Sequence, residues 1–119
     1  MKSKKEKQTI LENCLMHFET TPLFDKQAKK LRKKYKNLKH DLASVVNDFE
    51  MIHQSSTHIQ KSMYKIRVAN SDKNRGKRAG YRIYYYIKLE ETTYFLTLYD
   101  KSEVEMIDES LLIDLIETL

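Results

Sequence analysis

The feature that most constrains this chain is a change of hydrophobic period close to its middle. Between Phe24 and Ile52 apolar residues recur every three or four positions. Beyond the polar stretch HQSSTHIQ they alternate with polar ones, and β-branched and aromatic residues become frequent in MYKIRVA, YRIYYYIKL and TYFLTLYDK. Side chains turn with a period of 3.6 residues on a helix and 2 on a strand, so the two stretches require different elements. Helices grouped ahead of a strand meander specify an α+β domain, with a helical hairpin on one face of a twisted, mainly antiparallel sheet.

Residues 1–11 read as a charged N-terminal extension and 12–119 as a single domain, with a short strand expected near Cys14 to Glu19. Thr20, Thr21 and Pro22 open the first helix, because threonine accepts from helix N–H groups and proline is tolerated in the first turn. Phe24, Ala28, Leu31, Tyr35 and Leu38 lay one apolar stripe, Asn37 breaks the helix, and Leu42, Val45, Val46, Phe49 and Ile52 mark a second. Three strands follow. Asn70 to Gly80 connects the first two as a basic loop, and Glu90 to Thr93 forms a tight hairpin between the second and third. A last helix begins about Asp108 and presents Leu111, Leu112, Leu115, Ile116 and Leu119.

Several functional classes find no support. The sequence contains no apolar run of membrane-spanning length, and MKSKKEKQ lacks the apolar stretch of a secretory signal, so a cytoplasmic protein is expected. Cys14 has no second thiol and reads as a small buried hydrophobe. His17, His40, His53 and His58 show no metal-ligand spacing, and Gly76 and Gly80 alone cannot build a phosphate loop, so neither metal nor cofactor is expected. Asp108 and Glu109 read as acids complementing a helix N-terminus.

Charge is the remaining signal. The net charge is +5, but 8 of the 22 basic residues lie in 61–82, where Asp72 is the single acid, and 9 of the 17 acids lie in 88–119. Such segregation makes a local positive field that attracts phosphate backbones. With alternating side chains, Tyr64, Ile66 and Val68 face the core against Lys65 and Arg67; Ile83, Tyr85, Ile87 and Leu89 do so against Arg82, Tyr84, Tyr86 and Lys88. In the third strand Leu96 and Leu98 are expected inside, with Phe95, Thr97, Tyr99 and Lys101 outside. The sheet face away from the helices would then be open, combining Lys65, Arg67, Arg82 and Lys101 with tyrosines, rimmed by Lys73, Arg75, Lys77 and Arg78. Cations hold phosphates and aromatic faces stack on unpaired bases, a combination suited to single-stranded RNA. An ordinary solvated sheet face is the plainer reading.

The segments YKIRVA, GKRAGYRIYYYI and FLTLYDKSE, in this order, resemble the RelE/HigB family of bacterial type II toxin–antitoxin toxins. The resemblance covers roughly Phe24 to Glu103 and is densest from Tyr64. It implies a RelE-like fold and a metal-independent endoribonuclease that cuts messenger RNA in the ribosomal A site, restrained by a cognate antitoxin of helix-turn-helix type. It implies that Lys65 and Arg67 are the paired basic residues of the first meander strand, that Arg82 is the arginine of the GYR motif, and that Lys101 is the basic residue after the last strand. Tyr84 and Tyr99 complete the catalytic set; Lys73, Arg75, Lys77, Arg78 and Tyr86 are the expected RNA and ribosome contacts. Arg67 stands where many such toxins carry a second lysine, and arginine, ionising above about 12, is a poor proton acceptor. The general base is therefore open between Lys65, then Tyr84 or Tyr99, and a contribution from the ribosome. Two other readings compete: a ParE-like toxin acting on DNA gyrase without nuclease activity, and a non-catalytic RNA-binding homologue.

Overall fold

The computed structural model describes residues 17–73, 79–104 and 107–119. Its elements run β1 (His17–Thr20), α1 (Pro22–Lys34), α2 (Leu38–Asn47), α3 (Phe49–Gln54), β2 (Thr57–Gln60), β3 (Met63–Val68), β4 (Tyr81–Lys88), β5 (Thr92–Asp100) and α4 (Glu109–Ile116). The five strands form one open sheet in the order β1-β5-β4-β3-β2, antiparallel except for β1, which lies parallel to β5. The expected extension of residues 1–11 and the loop cations Arg75, Lys77 and Arg78 lie outside the described residues.

Local chemistry fixes the helices where the sequence places them. The Thr21 hydroxyl accepts from the Phe24 N–H at 3.1 Å and donates to the Leu96 carbonyl at 2.8 Å, so one side chain caps α1 and ties it to β5. Asp72 accepts from the Asn37 backbone and side-chain N–H groups, closing the start of α2 with the single acid of the basic segment. The second expected helix is divided at Asp48 into α2 and α3.

The sheet carries a hydrophobic layer on each face. On one, Phe24, Leu31, Tyr35, Leu38, Val45 and Phe49 from the helices bury Ile66, Val68, Tyr81, Ile83, Tyr85, Phe95 and Leu98. On the other, α4 lays Leu112 onto Met63, Tyr84, Leu96 and Tyr99, with Ile113, Leu115, Ile116 and Leu119 packed around them. The second face is therefore not fully open, as the charge pattern suggested, because the C-terminal helix needs an apolar floor of its own. Leu111, expected on that stripe, points outward and is 62% exposed.

Two strand readings are also corrected. Thr57–Gln60, read as part of a polar connector, is an edge strand paired with β3. In β5 the register slips between Tyr84↔Thr97 and Tyr85↔Phe95, so one extra residue bulges the strand. The slip resets the alternation, leaving Phe95 and Leu98 against the helical hairpin and Leu96 against α4, so Phe95 is inside. Gln27 of α1 serves the bulge, its Oε1 accepting from the Leu98 N–H at 2.9 Å and the Thr97 hydroxyl at 3.0 Å. Leu89, assigned to the core, instead occupies the β4–β5 turn with φ 53° beside Glu90 at 58°.

Candidate functional site

The cationic residues of the sheet sit where backbone alternation directs them. Lys65 lies opposite Tyr84, and Arg67 opposite Arg82, across the β3–β4 ladder; Tyr99 lies opposite Arg82 across β4–β5. Gly80 sets the approach to this ladder: a Cβ there would stand 2.0 Å from the Val68 carbonyl oxygen, so only glycine lets the chain enter β4 this closely.

Lys65, Tyr84 and Tyr99 then meet in a cleft of about 480 Å³, whose opposite wall is Ile107, Asp108, Glu109 and Ser110 at the start of α4. The Lys65 ammonium stands 5.5 Å from the centre of the Tyr84 ring. An ammonium over a ring face is attracted by the ring's electrons, a placement suited to charge stabilisation. The Tyr84 hydroxyl donates to Glu109 Oε2 at 2.6 Å. Burial, reinforced by that carboxylate, pushes the Tyr84 hydroxyl well above its ordinary range, and burial also raises Tyr99 against the opposing pull of Arg82. Both phenols are therefore held protonated and make poor bases.

Arg82 is buried at 6% exposure, and its Nη1 donates to the Tyr81 carbonyl at 3.1 Å. Burial, then the neighbouring Arg67, lowers its pKa from the ordinary arginine value. Arg67 is exposed on the same face. Arg67 and Arg82 flank the cleft without lining it, and Lys101, one residue beyond β5, does not line it either, so only three members of the expected set meet in one cavity.

Two expected RNA contacts serve the fold. Lys73 turns inward: its Nζ donates to Asp100 at 2.9 Å, Ser102 at 3.0 Å and the Ala79 carbonyl at 3.1 Å. Tyr86 is half-buried in the layer beneath α4, stacked on Tyr94 with ring centres 6.4 Å apart. Conversely, Glu109 belongs to the cleft, which the sequence did not disclose. Its helix-start position is legible, but its meeting with Tyr84, 25 residues away, depends on how α4 crosses the sheet.

Among the described residues no group of histidine, cysteine or carboxylate side chains could hold a metal ion, and no helix is long and apolar enough to cross a membrane. The site is defined by its chemistry: a tyrosine-lined cleft on an α+β sheet, with Lys65 on one wall and an acidic helix start on the other. No protein-family model and no curated protein matches the chain.

Proposed function

We propose that this chain is a toxin of the RelE/HigB type, a metal-independent endoribonuclease that cuts messenger RNA in the ribosomal A site and is neutralised by a cognate antitoxin. The observation that carries the reading is the meeting of Lys65, Tyr84 and Tyr99 in one cleft, with the Arg67 and Arg82 pair alongside on the same sheet face. Cleavage proceeds by attack of the ribose 2′-OH on the adjacent phosphate, leaving a cyclic phosphate or a 3′-phosphate. Arginine stays protonated throughout and can hold the phosphorane oxygens bidentately, the role assigned to the arginine pair. The site of action places the protein in the cytoplasm.

Addition of the protein to a translating extract tests this. The expected result is truncated message with ends at the ribosomal A site, reduced by Lys65→Ala and by Arg67→Ala. Intact message with inhibited gyrase supercoiling would refute the nuclease reading in favour of a ParE-like one. Equal cutting of isolated RNA would overturn the dependence on the ribosome.

A further inference from the structure

Attack by a 2′-OH needs a group that can take its proton, and the cleft contains few. The Lys65 ammonium is engaged over the Tyr84 ring, arginine is not a proton acceptor, and the two phenols are kept protonated. Two carboxylates remain on the α4 wall. Asp108 is committed to its own helix, its Oδ1 accepting from the Ser110 N–H at 3.0 Å and the Ser110 hydroxyl at 2.6 Å. Glu109 differs: Tyr84 holds Oε2, and among the described residues Oε1 has no hydrogen-bond partner. A carboxylate oriented by one oxygen and open at the other, in a cavity shared with a lysine, has the geometry of a general base.

We propose that Glu109 is the general base of this cleft, taking the 2′-OH proton on Oε1 while Tyr84 positions the carboxylate through Oε2. This rests on the nuclease reading above. The O2′–H bond breaks toward Glu109 as the O2′–P bond forms. The P–O5′ bond then breaks, and O5′ leaves with a proton from the Lys65 ammonium. Carboxylate becomes acid as ammonium becomes amine, net charge is conserved, and solvent restores both. Among the described residues, the charged and titratable groups that line the cleft with Glu109 are Lys65 from β3, Tyr84 from β4, Tyr99 from β5 and Asp108 beside it at the start of α4.

The test is single-turnover cleavage of A-site message on programmed ribosomes between pH 5 and 8.5, with wild type, Glu109→Gln, Glu109→Asp and Tyr84→Phe, alongside ribosome affinity and thermal unfolding. Glutamine keeps an acceptor for Tyr84 and removes the basicity. The expected result for Glu109→Gln is a loss of ~100-fold or more in rate with unchanged affinity and unfolding temperature, and disappearance of the acidic limb of the pH profile. Glu109→Asp retains that limb at a reduced rate, and Tyr84→Phe loses less than Glu109→Gln because the carboxylate remains. Cleavage by Glu109→Gln within threefold of wild type overturns the assignment and leaves the nuclease reading intact. Faster cleavage with tighter binding also overturns it, since that is the sign of an acid that only obstructs the cleft. Absence of cleavage by wild type overturns the nuclease reading itself.

Discussion

Replacing Asp100 with asparagine removes the centre of the best-connected polar cluster among the described residues. The Asp100 carboxylate is fully buried and accepts from the Tyr35 hydroxyl at 2.6 Å, the Lys73 ammonium at 2.9 Å, the Ser102 hydroxyl at 2.8 Å and the Ser102 N–H at 3.0 Å. Burial alone would raise its pKa, but the hydrogen bonds from Lys73, Tyr35 and Ser102 prevail and hold it at about 2, against an ordinary value of 3.8. A carboxyl depressed on folding stabilises the folded state above its unfolded pKa and ceases to do so as pH falls through its folded one. The depression corresponds to about 2.5 kcal/mol, present at neutral pH and lost between pH 4 and 2. Independently, stripping one charge from a buried pair costs about 3–5 kcal/mol. The lower end applies here because Lys73 keeps 18% of its side-chain surface in water. Asp100→Asn should therefore lower stability by about 3 kcal/mol at pH 7, or about 10 °C in Tm for a chain of this size. Urea unfolding at pH 7, 4, 3 and 2 checks both parts: the gap between wild type and variant should narrow steadily below pH 4. A gap under about 0.5 kcal/mol at pH 7, or one that does not change with pH, would refute the reasoning.

Gly80→Ala should cost about 2–3 kcal/mol in urea unfolding, because its Cβ would meet backbone rather than a yielding side chain. The paired change Leu89→Asn with Glu90→Gly should raise stability by about 1 kcal/mol, read as a higher urea midpoint, since both positions hold left-handed backbone that leucine and glutamate resist. Leu112→Ala should cost about 3 kcal/mol in the same assay and Leu111→Ala under about 0.5, which separates the buried line of α4 from its outward side.

The elements legible in the sequence are those whose side chains alternate between one apolar and one polar environment. The α1 stripe and its Thr21–Pro22 start, and the alternation of β3 and β4 from Met63 to Ile87, appear where their periods place them. Strand β2 escaped because an edge strand with mostly exposed side chains has no hydrophobic period to show. The faces of β5 were misassigned because a bulge inserts one residue into a count of two, and nothing local marks it. At the site, the cations of the sheet were legible from alternation. Lys73 was not distinguishable from a solvent-facing lysine, since its commitment to Asp100 joins positions 27 residues apart. Glu109 was readable as a helix-start acid but not as a wall of the cleft, because the crossing of α4 over Met63 and Tyr84 is a property of packing between layers.

The parallel seating of β1 against β5 also sets a schedule for biosynthesis. His17 lies opposite Thr92, and Phe18 packs its ring on Phe95 with centres 5.7 Å apart, so the earliest described strand gains its neighbour only after some 75 further residues have been made. At about 5–20 residues per second that interval is about 4–15 s, during which Phe18 lacks its ladder and the stacked ring of Phe95 and can meet only Phe49. Tyr99 and the α4 wall emerge later still, so a nascent chain cannot assemble the cleft until α4 has been made.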